Sequence, residues 1–302
     1  MRTPFSVWLA TARLRTLPLS VSGIITGNAI AAKDDVFSVT VFALSLLTAI
    51  AFQIISNFAN DYGDGVKGTD NEDRLGPERT FQQGLLTAQA LKKGIVISAL
   101  VSIALALSLI FVSLGWRQLL ISLFFLILAL AAVWAAIKYT VGQNAYGYSG
   151  LGDLFVFLFF GWVSVIGAYY LQTQTIDLSI FFWATAIGLM CVGVLNLNNM
   201  RDIVNDKKSN KITLVVLMGS RNAKYYHYIL ILISAVFLYL GMESVGGIAP
   251  AVSFLISLPL LIHLFQVNKI KESKAYDPLL KQLALSTFLI SLVLFFIFSI
   301  YR

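Results

Sequence analysis

The sequence predicts an all-α, polytopic membrane protein, a bundle of nine transmembrane helices, and three observations carry that prediction. First, its 302 residues are 58% hydrophobic and only 12% charged, with a mean hydropathy of +0.81. That is too apolar for a water-soluble domain. Second, the apolar residues come in successive runs of about 20, the length that matches the hydrocarbon thickness as a helix. A membrane barrel would instead show short segments of alternating hydrophobicity. Third, the basic residues are unevenly shared between the two faces that such runs define.

In chain order the runs place spans at 15 to 32, 38 to 59, 92 to 113, 117 to 137, 151 to 171, 179 to 199, 225 to 241, 245 to 267 and 282 to 301, each bounded by Gly, Pro or charged residues. No short apolar region with a small-residue cleavage site opens the chain, so the first span is expected to be retained. Short segments at 33 to 37, 114 to 117, 172 to 178 and 242 to 244 join some spans, whereas long polar loops follow the second and the sixth. One face therefore carries the polar chemistry. Of the 22 lysines and arginines, all but Lys33, Arg117 and Arg302 fall on that face. By the positive-inside rule it is cytoplasmic, with the N-terminus inside and the C-terminus outside a cytoplasmic (inner) membrane. The net charge of +7 then follows from topology and from attraction to anionic membrane lipids, with no nucleic-acid partner required. The single cysteine, Cys191, excludes an intramolecular disulfide and a cysteine-based zinc site. Residues 1–302 are expected to form one transmembrane domain.

Two acidic stretches stand at the cytoplasmic ends of apolar runs. The first, 57 to 79, holds Asn57, Asn60, Asp61, Asp64, Asp70, Glu72 and Asp73; the second holds Asn198, Asp202 and Asp206. They are weak echoes of one another, each an Asn and Asp ladder running into a basic, Gly-containing loop, and both close even-numbered spans, which suggests a parallel duplication. Residues three or four apart share a helix face, so each ladder is a ridge of oxygen ligands. Paired carboxylates suit magnesium, which keeps waters and is completed by substrate phosphates. Lys67, Arg79, Arg201 and Lys211 lie nearby as phosphate partners. The simpler reading, solvated loop charge, suits Glu72, Asp73 and Glu78. It suits Asp61, Asp64, Asp202 and Asp206 less well, because ionisable groups beside hydrocarbon by default mark function.

The segments N-D-Y-G-D-G-V-K-G-T-D at 60 to 70 and R-D-I-V-N-D-K-K-S-N-K-I-T-L at 201 to 214 resemble the paired aspartate motifs of the UbiA superfamily of intramembrane prenyltransferases. Within it they are similar to the branch that acts on 1,4-dihydroxy-2-naphthoate. Segments 12 to 19, 138 to 153 and 161 to 172 agree, so the resemblance runs from the first helix to about His227. Gly68 stands where the broad family has a third aspartate, with Asp70 two residues later, as in the naphthoate branch. Asn210, Leu217 and Leu14 also depart from common residues and remove no expected metal ligand.

The resemblance implies a cytoplasmic-side active site that moves a polyprenyl group from polyprenyl diphosphate to an aromatic acceptor with loss of diphosphate. In the naphthoate branch carbon dioxide is also lost, giving demethylmenaquinone. It implies Asn60, Asp61, Asp64, Asp202 and Asp206 as holders of Mg2+, with Asp61 and Asp202 central to catalysis. Lys67, Arg79 and Lys211 would hold the leaving group, and Arg201 and Asp70 would lie beside it. An allylic cation needs a dry or aromatic wall, and Tyr139 stands at the position associated with that role. Tyr146, Tyr148 and Asp153 in the same loop would shape the acceptor site, and Arg13 or Arg15 would bind the acceptor carboxylate or lipid headgroups. Tyrosines are also common at membrane interfaces for their amphipathic rings. His227 and His263 read as interface or core residues. Three alternatives remain: a UbiA branch with another acceptor such as 4-hydroxybenzoate, a cation-coupled transporter, and a CDP-alcohol phosphotransferase. Transporter sites usually lie near the midplane at broken helices, and the compact DG and AR signature of the phosphotransferases is missing.

Overall fold

The computed structural model describes residues 4–300. Helix α1 (Phe5–Ala12) lies ahead of α2 (Leu17–Lys33), α3 (Val39–Val66), α4 (Ala88–Leu114) and α5 (Leu119–Lys138). Then come α6 (Gly152–Thr173), α7 (Ile180–Lys208), α8 (Leu214–Val245), α9 (Ala249–Lys269) and α10 (Tyr276–Ile300). Eight of these described helices are long and apolar enough to cross a bilayer. The expected first span is α2, whose 17 residues sit at the lower limit of that length. Among the described residues no strand forms. One isolated bridge, Ser149 to Ile212, ties the α5–α6 loop to the segment before α8.

The helices outrun the apolar segments at the basic face. The spans expected at 38 to 59 and 179 to 199 continue to Val66 and Lys208, so both Asn and Asp ladders are helical. Helix α8 begins at Leu214, well before the expected 225, and is broken at Gly219, whose φ of 77° only glycine adopts readily. Polar composition hid these ends, because the rule that finds spans counts only what sits in hydrocarbon. Thr87 and Thr213 fix the starts of α4 and α8, each hydroxyl accepting a hydrogen bond from the amide three residues on, at 3.1 and 3.2 Å.

Helix α7 is the axis of the bundle, with 72% of its apolar window buried, whereas α5 buries 11% and lies on the rim. Trp183, Ile187, Met190 and Leu197 of α7 pack against Leu238 of α8 and Leu294 of α10. Polar side chains bind the helices where apolar burial against lipid-like neighbours supplies no driving force. Gln172 on α6 donates to Asn28 Oδ1 on α2 (2.6 Å) and to the Ser38 carbonyl (3.0 Å) before α3. His227 and His263 face each other at 3.0 Å between α8 and α9, fully buried, and so belong to the core. Lys33 and Arg117 stand at the opposite end from the other described cations, as expected; Arg2 and Arg302 lie outside the described residues.

Helix α6 contains a π-helical stretch, Phe157–Val163. There Gly161 meets α7 so closely that a Cβ would stand 2.7 Å from Gly188 Cα and 2.8 Å from the Ala184 carbonyl oxygen. Backbone cannot yield as a side chain can. Gly161→Ala is therefore expected to destabilise the bundle by about 1–3 kcal/mol, read as earlier thermal unfolding in detergent. Gly188→Ala, whose Cβ would meet the Phe157 ring at 2.9 Å and backbone atoms only at 3.1 and 3.2 Å, should cost less.

Candidate active site

The ladders end at the polar mouth of a cavity of about 660 Å³ that descends into the bundle. Asn60, Asp64, Arg13, Arg74, Arg79, Asn198, Arg201, Lys211 and Tyr139 line the mouth. Phe52, Leu128, Phe155 and Phe159 line the walls below.

The loop after α3 builds the first half. Gly68, at φ +73°, reverses the chain, and the amides of Thr69 and Asp70 return to the Asp64 carbonyl at 2.9 and 3.3 Å. A residue with a Cβ at 68 would resist that turn, and because glycine makes it, Asp70 swings back under the helix end. Its carboxylate pairs with Arg79 Nη1 at 2.9 Å and Arg74 Nε at 3.2 Å.

Arg79 is the hub of this half. It donates to Asp64 Oδ2 at 2.8 Å and to the Asn60 carbonyl at 2.7 Å, and its Nε lies 3.8 Å from Asp61. Asp64 also accepts from Tyr148 OH at 2.7 Å and has Lys211 Nζ at 3.6 Å. Asp61 pairs with Arg13 and accepts from Thr80 at 3.0 Å. Asn60 Oδ1 accepts from Thr140 at 3.3 Å.

The charged groups in this half are closely paired. Burial would lower the Arg79 pKa, but Asp64, Asp70 and Asp61 outweigh it and hold the guanidinium charged well above its ordinary range. Burial and the neighbouring Arg79 bring Arg13 down to about 10, against the pull of Asp61. For Asp70 burial raises the pKa, and Arg79 only partly offsets it.

The second half sits on α7. Arg201 donates to its neighbour Asp202 at 2.6 and 3.0 Å, to Asn198 at 2.7 Å and to Asp277 on α10 at 2.7 Å. Asp206 is buried one turn further on. Asn205 joins the halves, its amide donating to the Thr69 carbonyl at 2.8 Å. The amide of Lys211 bonds the Asp206 carbonyl at 2.8 Å; its side chain thereby reaches across to Asp64.

The donor chemistry fits a hard divalent cation. Both oxygens of Asp70 and Oδ1 of Asn205 are buried without an aligned hydrogen bond, although Asp70 stands in ion-pair range of two arginines. Among the described residues no three acidic, histidine or cysteine side chains already form a closed metal cage. A cation completed by substrate oxygens and water needs only one or two protein carboxylates.

The expected residues divide by position. Asn60, Asp61, Asp64, Asp70 and Arg79 gather with Arg13 and Lys211, and Arg201 and Asp202 form a separate clamp. Tyr139 lines the cavity mouth, edge-on to Tyr146 at 5.4 Å; burial and then Asp64 raise its pKa, so its phenol stays protonated. Lys67 lies over the Tyr148 ring at 3.8 Å and does not line the cavity. Asp153 is also off the cavity, held between α6 and α8 by the Tyr226 hydroxyl at 3.1 Å. Sequence reasoning overlooked Arg74, Thr80, Asn205 and Asp277. The spacing of Asp70 and Arg74 was a signal for the first, and a carboxylate at the cytoplasmic start of the last span was one for Asp277. Tyr148, expected to shape the acceptor site, donates its hydroxyl to Asp64.

Residues 20–288 match the UbiA prenyltransferase family. This chain belongs to that family. It is 44% identical over 259 residues to the 1,4-dihydroxy-2-naphthoate octaprenyltransferase of Escherichia coli (strain K12), covering 84% of this chain and 82% of that protein. It is 40% identical over 295 residues to the Haemophilus influenzae protein of the same name, covering 95% and 94%. The fold matches a UbiA homolog from Archaeoglobus fulgidus bound to GPP and Mg2+, with TM-score 0.70 and 14% identity over 97% of this chain and 99% of that one. Family membership and the apolar helices together make it an integral membrane protein.

Proposed function

We propose that this UbiA-family chain transfers a polyprenyl group to 1,4-dihydroxy-2-naphthoate, giving demethylmenaquinol, the reduced form of demethylmenaquinone, with its site at the cytoplasmic side of the inner membrane. The observation that carries this reading is the join of two oxygen-ligand ladders and a set of cations to a long apolar cavity. The names of its relatives supply the acceptor. The carbon–oxygen bond of the allylic diphosphate breaks, a carbon–carbon bond forms at the ring carbon that bears the carboxylate, and that carboxylate leaves as carbon dioxide. The chain works as one domain, with the N-terminus cytoplasmic and the C-terminus outside.

Asn60, Asp61 and Asp64 from α3 and Asp202 and Asp206 from α7 would hold magnesium. Magnesium supplies Lewis-acid neutralisation of the departing diphosphate. Arg79, Lys211, Arg74 and Arg201, on the cavity wall, bind the remaining phosphate oxygens, and charge-assisted contacts of this kind strengthen as the bond ionises. The apolar wall excludes water from the allylic cation, and the ring of Tyr139 presents a π face to it. Arg13 and Arg15, both on the wall, orient the acceptor carboxylate. Lys67 acts from behind Asp64, through Tyr148.

The test is incubation of membranes containing the protein with polyprenyl diphosphate, magnesium and 1,4-dihydroxy-2-naphthoate, followed by identification of the lipid. Demethylmenaquinol, recovered as demethylmenaquinone after oxidation in air, with equimolar diphosphate is the expected product; turnover of 4-hydroxybenzoate in preference to the naphthoate would overturn the acceptor assignment. Tyr139→Phe keeps the ring and is expected to lose roughly tenfold or less in kcat, below the effect of removing a general acid–base group. Complete loss would show that the hydroxyl is required.

A further inference from the structure

The cavity runs along about two thirds of α3. On α3 its lining extends from Asp64 at the mouth to Ser45, a span of nineteen residues, or about 28 Å of helix. At its far end it meets Leu109 and Ile110 of α4, Phe125 of α5 and Gly167 and Leu171 of α6. Beyond these, Val41, Leu114 and Ile121 join them in a small apolar cluster separate from the main core. This cluster borders the cavity at that end.

Phe125 is the aromatic member of this cluster that lines the cavity. Its ring stacks on Tyr170 of α6, centroids 5.6 Å apart, and is edge-on to Phe124 at 5.7 Å. Opposite it, Gly167 leaves space, and a methyl group there would have one neighbour within 4 Å, Phe125 Cε1 at 3.7 Å. Elsewhere α6 uses glycine to approach a neighbouring backbone, as Gly161 does. At Gly167 no backbone approaches, so the missing side chain adds depth to the cavity.

We propose that Phe125 and Gly167 form the floor of the site for the donor's apolar tail and set the length of prenyl chain that the cavity accepts. The inference rests on the prenyl-transfer reading above. A tail that ends short of the floor is indifferent to it, whereas a tail that reaches the floor gains or loses apolar contact with each group added or removed there.

The experiment compares the whole protein with Phe125→Ala and Gly167→Leu on allylic diphosphates of increasing isoprene number, with 1,4-dihydroxy-2-naphthoate as acceptor. The readout is the ratio of kcat/KM for long over short donors. Phe125→Ala should raise the ratio and Gly167→Leu lower it, each by roughly tenfold, the scale of one or two methylene groups in an apolar pocket. The shortest donor should react as with the wild type in both, which separates a floor effect from damage to the fold. If Phe125→Ala does not fold, Phe125→Leu replaces it. An unchanged ratio in both variants overturns the inference and means that the tail leaves sideways between helices. Failure of the wild type with every donor overturns the prenyl-transfer reading and the inference with it.

Discussion

Asp64→Asn is expected to lower prenyl transfer by roughly 10²–10³ in kcat, the cost of removing one preorganised electrostatic group, while the protein remains inserted and folded. Three groups converge on this carboxylate, the Arg79 guanidinium at 2.8 Å, Tyr148 OH at 2.7 Å and Lys211 Nζ at 3.6 Å, while the Gly68 turn anchors on the backbone carbonyl of the same residue. Asparagine keeps the shape and one acceptor oxygen, but it removes the charge that balances Arg79 and Lys211. It also leaves an uncharged amide where a hard cation calls for anionic oxygen. The spans themselves are untouched, so insertion and helix content should match the wild type. Turnover in membranes at saturating magnesium measures the effect. Near wild-type turnover would remove Asp64 from the metal-holding set, and the same measurement on Asp202→Asn tests the other ladder.

The fold was legible because a membrane makes composition decisive. Run length located every span, and the basic residues gave a single partition that the described helices follow. Helix ends were less legible, since α3, α7 and α8 continue past the hydrocarbon into polar sequence that run length cannot score. The ladders were legible as ridges because helical spacing fixes which residues share a face. Which cation meets which carboxylate was not, because it depends on loops. Asp70 is the clearest case: as a sequence it stands six residues past Asp64, and only the left-handed turn at Gly68 returns it beneath the helix end, beside Arg79 and Arg74. Asp277 shows the other limit. Its role comes from a contact with Arg201, seventy-six positions earlier, and no local pattern encodes a pairing of that range. Lys67 and Asp153 show the converse, since closeness in sequence to the motif residues did not bring them to the cavity wall.

Arg79→Met should destabilise the cytoplasmic end of the bundle by about 3–5 kcal/mol, the cost of breaking a buried charge cluster by removing one partner. The guanidinium is 9% exposed and stands within 4 Å of Asp61, Asp64 and Asp70. Methionine fills a similar volume and leaves those carboxylates sharing only Arg13, Arg74 and Lys211. Repulsion among them should loosen the loop at 67 to 87, whose return to α3 depends on Asp64 and Asp70. Because Asp64 and Asp70 each lose their nearest cation, a divalent cation should take its place: the variant's thermal stability in detergent is expected to depend more steeply on magnesium than the wild type's. Arg79→Lys keeps the charge without the planar fork and should fall between the two in stability. Thermal unfolding with and without magnesium, followed for all three proteins, reads the effect without reference to turnover. A loss in Arg79→Met that magnesium leaves unchanged would mean that the carboxylates are not a cation site and that Arg79 acts only as a packing and hydrogen-bonding strut for the loop.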